Sequence, residues 1–279
     1  MNTIQLYPEH KEYPQLRGIY LEDPLLSDNG AAIVYSNFLT SLDGRIAISK
    51  NNRLTLPPQL TCDTDLRLFL ELQAHADCLL IHGGYLRSLA SGRLGDILRV
   101  GQPKKYADLA DWRRQRGLSV QPLVVICSNT LDFVIPDGLD LQDVWIATSR
   151  SGDAERIGMW KKRGYKVVFA GERRVEGGKL TAQLIKHGYR RLYLCAGPEL
   201  FESCLNDGCL SLHYMTISMQ FIGQPEFLTM LCGYTKLMDY RLKLSRLILN
   251  QEDSEDHEAH PDQLYLTFQV SYDKPTLSR

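Results

Sequence analysis

No stretch of this 279-residue chain approaches the ~20 consecutive apolar residues that cross a bilayer, and its polar N-terminus carries no basic-then-apolar leader pattern. A soluble, cytoplasmic protein is expected. Charge of one sign is equally scarce: 32 Lys and Arg face 33 Asp and Glu, a net of -1. Affinity for a nucleic-acid backbone rests on clustered cations, so that class of partner is set aside. Seven cysteines are present, but none forms a CxxC pair or stands at ligand spacing from a histidine, which excludes a zinc ribbon or finger and argues for reduced thiols. Cys78 and Cys127 sit inside apolar runs and behave as small hydrophobes. Missing too are GxSxG, GxxxxGK[ST], HExxH and the HxE with PCxxC of zinc deaminases. Those hydrolytic and transfer chemistries drop out with their spacings.

What is present is an ordinary globular composition, 44% hydrophobic and 23% charged, in which the fold must come from packing. Residues 1–30 hold Pro8, Pro14 and Pro24 without a period and read as an extended arm ahead of one domain, 31–279. Apolar runs at 31–40, 78–82, 122–127, 144–148, 165–170, 191–195 and 212–218 read as strands. Between them, 63–74, 154–163, 180–187 and 198–206 have helical character, the first of these helices capped by Thr61 or Asp63. Segments 241–249 and 263–272 have no helical period, and the second alternates, with Leu264, Leu266 and Phe268 opposite Tyr265 and Thr267. The expected class is α/β: a mixed, mostly parallel central sheet flanked by helices on both faces, closed by a C-terminal antiparallel hairpin. The acidic stretch 250–262 between the hairpin strands reads as a solvated tip. Edges left open by arm and hairpin suggest a homodimer.

Two glycine turns follow apolar runs directly. His82-Gly83-Gly84-Tyr85 comes after Leu79-Leu80-Ile81, and Ala196-Gly197-Pro198-Glu199-Leu200-Phe201 comes after Leu192-Tyr193-Leu194-Cys195. A helix beginning at such a turn aims unpaired N–H groups and the positive end of its dipole at one point, where glycine lets an anion approach. Pro198 is preset for the first helical position. Two such seats suggest a dinucleotide, although neither has the GxGxxG spacing.

The segment Asn37-Phe38-Leu39-Thr40-Ser41-Leu42-Asp43-Gly44-Arg45-Ile46-Ala47 resembles the opening strand and loop of the reductase half of bifunctional riboflavin-biosynthesis deaminase–reductases. Ala76-Asp77, a glycine turn followed by Arg87, a strand ending at Ser128, and Ala196-Gly197-Pro198-Glu199-Leu200 through Asp207-Gly208 follow in the family's order. The resemblance implies a dihydrofolate-reductase-like fold that binds NADPH along the carboxyl ends of the strands. It places cofactor contacts at Gly83, Gly84, Tyr85, Arg87 and Ser128 and at Gly197, Pro198, Glu199, Leu200 and Phe201. Arg87 and Arg150 are candidates for the 2′-phosphate, because a planar guanidinium matches that group. The implied reaction is hydride transfer to C1′ of 5-amino-6-(5-phosphoribosylamino)uracil, with Asp43 in a polar role beside the nicotinamide and Ser41 as its hydrogen-bond partner. Asp-Gly is also a common turn pair, so Asp43 has a structural reading as well.

Departures fall on the substrate side. The arginine usual at the end of the first helix is Gln73, and the glutamate usual before the second glycine turn is Cys195. Glutamine holds a phosphate poorly and a thiol accepts hydrogen bonds poorly. Arg93 or Arg99 are the candidates to replace the phosphate contact. The alternatives are a pteridine or other heterocycle reductase, and a catalytically silent nucleotide-binding scaffold.

Overall fold

The computed structural model describes residues 2–27, 30–50, 53–137, 139, 143–233, 240–251 and 261–272. The chain runs through β1 (Asn2–Tyr7), β2 (Lys11–Tyr13), β3 (Ile33–Ser41), β4 (Ala47–Lys50), β5 (Arg53–Thr55), α1 (Asp63–His75), β6 (Cys78–His82), α2 (Gly83–Ala90) and α3 (Ala107–Gln115). It continues with β7 (Leu123–Cys127), β8 (Val144–Thr148), α4 (Ala154–Lys162), β9 (Lys166–Phe169), α5 (Gly177–Lys186), β10 (Arg191–Leu194) and α6 (Pro198–Asn206). It closes with β11 (Leu212–Ser218), β12 (Phe227–Leu228), β13 (Tyr240–Gln251) and β14 (Gln263–Tyr272).

One sheet holds most strands, in the order β2-β1-β13-β14-β11-β3-β10-β6-β7-β8-β9. From β11 to β9 every pairing is parallel; from β11 outward through β14, β13, β1 and β2 every pairing is antiparallel. The parallel strands are apolar on both faces because helices cover both. Leu79, Ile81, Val124, Ile126 and Tyr193 point toward α1, α2 and α4, while their neighbours Cys78, Leu80, Val125, Leu192 and Leu194 point toward α5 and α6. This is the mixed, mostly parallel sheet with a terminal hairpin that the alternation implies. No helix among the described residues is long and apolar enough to cross a membrane.

Several elements differ from the sequence reading. The first helix is capped by Cys62, whose sulfur accepts from the Asp65 amide at 3.4 Å, and not by Thr61 or Asp63. Helix α5 begins at Gly177, three residues before the predicted start, because its two glycines let it lie directly against α6. Helix α3 was not anticipated; it packs Leu109 and Trp112 against Leu70 and Ala74 of α1. In β14 the better buried face carries Gln263, Tyr265 and Thr267, while Leu264, Leu266 and Phe268 are half-buried. The expected acidic tip lies largely in 252–260, outside the described residues.

The first residues extend the sheet. Strand β1 runs along β13, so the hairpin's edge is covered from within the chain and the outer edge passes to the three-residue β2. The following segment is tied down by Glu71, fully enclosed in α1, whose carboxylate accepts from the Gly18 amide at 2.6 Å, the Tyr20 amide at 3.1 Å and Arg67 Nε at 2.8 Å. A buried carboxylate needs such partners to offset its desolvation.

Candidate functional site

Because β11, β3, β10, β6, β7 and β8 are parallel, their carboxyl ends share one edge, but they do not stop together. Strand β10 pairs with β3 only as far as Ser36, whereas β3 continues beside β11 to Ser41. At ~3.3 Å per residue the two longer strands overhang by about 16 Å. Beyond the end of β10 this leaves a notch, walled on one side by the overhang and floored by Cys195 to Gly197.

Both glycine turns open at this edge. Gly83, Gly84 and Tyr85 are the first residues of α2 and Pro198, Glu199 and Leu200 those of α6, and neither helix has a side-chain cap. The first-turn amides are therefore free of local side-chain acceptors. The turns flank one imidazole: a Cβ placed on Gly84 would lie 2.7 Å from His82 Nδ1, and one on Gly197 would lie 4.0 Å from His82 Nε2. His82 is exposed to solvent yet surrounded by protein, and burial followed by the Arg87 charge lowers its pKa. That combination marks a side chain lining a cleft. His82 was not among the residues singled out in the sequence.

Of the remaining cofactor-side residues, Ser128 packs on Gly83, where an added Cβ would lie 3.1 Å from its Oγ. The same Oγ accepts from the Leu131 amide at 3.0 Å and so shapes the turn after β7. Arg87 is exposed and donates to the Asp132 carbonyl at 3.0 Å. With Thr130, Asp132, Asp153 and Arg156 it borders an open cavity of about 530 Å³ beside the cleft. Arg150 lies apart, paired with Glu172 at 3.2 Å and stacked near Phe169. The Tyr85 side chain points inward: its hydroxyl donates to the Gly95 carbonyl at 2.8 Å and accepts from the Ile97 amide at 3.0 Å, leaving its backbone amide for the cleft. Glu199 is exposed, while Leu200 and Phe201 are buried against the sheet.

The expected substrate-side residues are not brought together. Gln73 is fully enclosed near the opposite edge of the sheet; its amide nitrogen donates to the Ile97 carbonyl, while its Oε1 has no partner. Arg99 is paired with Asp96 in the loop after α2. Arg93 donates to Ser88 Oγ at 3.3 Å. Cys195 does lie on the floor of the notch, where burial pushes its thiol pKa well up and keeps it neutral.

Ser41 and Asp43 close the end of β3. The Asp43 carboxylate accepts from Ser41 Oγ and the Arg45 guanidinium, and from the amides of Ile222 at 3.3 Å and Gly223 at 3.1 Å. Partial burial pushes its pKa up, but those bonds and the Arg45 charge outweigh it and hold the carboxyl below its ordinary value. All its acceptor capacity goes to fastening two loops. Asp43→Asn is expected to keep turnover within about 10-fold of the parent. The substitution should lower the melting temperature by a few degrees at pH 7, about 1 kcal/mol. A depressed carboxyl pKa contributes stability above the unfolded value and loses it as pH falls through the folded one, so the two proteins should converge in melting temperature at low pH.

The notch holds another carboxyl group that the sequence reading passed over. Asp65 sits in the first turn of α1, where an acid is ordinary because the dipole favours it. Its position relative to Leu68, Phe69 and Leu72 puts it on the apolar stripe, and this was the available signal. The residue is only 8% exposed; burial raises its pKa to about 6, against a smaller lowering by the Thr216 hydroxyl on the overhang. Oδ1 has no partner. Tyr193 is enclosed behind it, its hydroxyl held well above its ordinary pKa by burial and next by Cys195. Asp65 Oδ1 is thus a buried acceptor left without a partner at this edge of the sheet.

The model for "RibD C-terminal domain" matches residues 32–251. No curated protein matches the sequence. Among solved structures, a pyrimidine reductase-like protein from Corynebacterium diphtheriae superposes with a TM-score of 0.65 at 16% identity, covering 87% of this chain and 93% of that one. The riboflavin biosynthesis reductase of Saccharomyces cerevisiae gives 0.53 at 13% identity, covering 88% and 92%. Acinetobacter baumannii RibD gives 0.57 at 14% identity, covering 87% of this chain but 59% of that one, so this chain spans little more than half of RibD. At these identities the likeness is one of fold.

Proposed function

The chain belongs to the RibD C-terminal domain family, a riboflavin-pathway reductase family, and from that premise we propose an NADPH-dependent oxidoreductase that converts the ribosyl group of 5-amino-6-(5-phosphoribosylamino)uracil to ribityl. The observation that carries this reading is the pair of uncapped helix starts flanking His82, next to a notch with a buried carboxyl of which one oxygen has no partner. The fit to a dinucleotide is steric as well as electrostatic: a Cβ at Gly84 would meet the His82 ring that lines the cleft.

In this reading the amides of Gly83 to Tyr85 and of Glu199 and Leu200 hold the diphosphate, and Arg87 and Ser128 stand beside the ribose and its phosphate. The cofactor, when bound, supplies the hydride. Hydride arriving at C1′ of the ring-opened substrate leaves the exocyclic nitrogen in need of one proton. We assign that proton to Asp65, whose pKa, raised by burial to about 6, keeps it protonated in part near neutral pH. Thr216 stands beside its carboxyl, and the overhang of β3 and β11 keeps water from that side.

A second reading has its own support. Gln73 and the neutral Cys195 stand where the family has an arginine and a glutamate for the substrate, which favours a heterocycle without phosphate. Purified protein incubated with NADPH and the ribosylamino phosphate is expected to oxidise the cofactor, read at 340 nm. Oxidation with dihydropterins but not with the phosphate would favour the second reading. NADPH binding by calorimetry without turnover of any candidate would leave a scaffold.

A further inference from the structure

The opposite edge of the sheet carries a cavity of about 350 Å³ that has no part in the chemistry above. It lies between segment 21–27, the ends of α1 and α3, and the start of β10. Arg191 begins β10 and Gly197 follows its end, so the cavity and the cleft are about 20 Å apart by strand rise.

Its walls are of two kinds. Leu26, Leu118 and the Trp112 indole form an apolar side, with the His75 ring edge-on to the indole at 4.7 Å. Two guanidinium groups form the other. Arg116 lies over the Trp112 ring at 4.1 Å and has no carboxylate partner among the described residues. Arg191 is bound at one end to Asp77 at 3.1 Å. His75 does not add charge: burial first, then Arg191 and Arg116, depress its pKa to about 4, and its Nε2 donates to the Tyr20 carbonyl. The acids nearby are largely committed. Asp77 accepts from the Arg190 and Arg191 amides as well as from the guanidinium. Asp23 accepts from the Leu25 amide, Tyr214 and Arg246. Glu22 is exposed at the rim.

We propose that this cavity is a second binding site, for a small organic anion with a flat apolar body: the oxyanion between Arg116 and Arg191, the body against Trp112 and Leu118. The volume matches the lower end of small-molecule sites, and a guanidinium already stacked on an indole continues the stack with a planar ligand at little ordering cost. Such a ligand leaves the cleft free and binds alongside the nicotinamide cofactor.

Trp112 reports on the site, so tryptophan fluorescence of the full chain serves as the readout, with phenyl phosphate, benzoate and inorganic phosphate as probes. Saturable quenching by phenyl phosphate or benzoate at about 1 mM or below is expected, with inorganic phosphate at least about 10-fold weaker because it lacks the apolar body. Arg116→Gln, at an exposed helix end where folding is not at stake, should weaken the organic anions about 10-fold. Leu118→Phe, which fills the cavity from the apolar side, should weaken them likewise. Saturating NADPH should leave their affinity unchanged. The proposal is overturned by absence of saturable binding up to about 10 mM, by affinity indifferent to both substitutions, by inorganic phosphate matching phenyl phosphate, or by displacement with NADPH.

Discussion

Replacing Asp65 with asparagine is expected to make the protein more stable at pH 8 while removing most of its reductase activity. The two effects share one cause. In the folded chain burial raises the Asp65 pKa from 3.8 to about 6. At ~1.36 kcal/mol per unit, holding the ionised form costs the native state about 3 kcal/mol above pH 6. The sign follows from proton binding: between the unfolded and folded values the native state holds a proton that the unfolded state has lost, so this group's contribution to stability falls as pH rises through that window. Asparagine keeps the shape without the charge. Urea titrations should show Asp65→Asn ahead of the parent by 2–3 kcal/mol at pH 8 and level with it near pH 4. Turnover should fall at least about 100-fold, the usual range for removing a positioned proton donor. In the parent, kcat should decline as pH rises above about 6, a limb that the variant lacks. A variant that is more stable but equally active would make Asp65 a structural cost with no catalytic return and would remove the proton route described above.

That residue also shows where sequence reasoning stops. The parallel strands, the order of landmarks and both glycine turns were legible because each rests on local chemistry: apolar runs bounded by turn residues, proline at a helix start, glycine after a strand. Asp43 looked catalytic because it stands in the most recognisable motif, yet four donors converge on it and leave nothing for a ligand. Gln73 marked a change on the substrate side by resemblance alone; whether a helix end faces a cleft or the opposite edge depends on the packing of the loop at Ile97. The notch beside Asp65 exists only because β10 stops after Leu194 while β3 runs on to Ser41. Unequal strand lengths are a tertiary outcome. The same holds for the cavity at the other edge, whose walls come from segments about 160 residues apart in sequence, Leu26 to Arg191.

Glycine-to-alanine substitutions at two helical positions should act in opposite directions, and one of them should disable the cofactor seat from a distance. Gly158 lies in α4 with open space where its Cβ would be. Gly158→Ala should add up to about 1 kcal/mol by reducing the freedom of the unfolded chain. Gly177 opens α5 against α6: an added Cβ would lie 2.6 Å from Cys204 Sγ, 2.8 Å from its amide nitrogen and 2.9 Å from its Cα. Two of those atoms are backbone and cannot rotate away. The contact is also held by hydrogen bonds, the Gly177 amide to Ser203 Oγ and the Gly178 amide to Asp207 Oδ2, both at 2.8 Å. Gly177→Ala therefore pushes the two helices apart and should cost 2–3 kcal/mol or more, the range of overpacked cores. Helix α6 is the one that starts at Pro198, so its displacement carries the Gly197 turn away from His82 and from the start of α2. NADPH affinity should fall about 10-fold in Gly177→Ala and stay unchanged in Gly158→Ala, measured by cofactor fluorescence beside urea midpoints. Equal affinity in both variants, with the stability loss present, would mean that the diphosphate is gripped by α2 alone and that the second turn plays no part in binding.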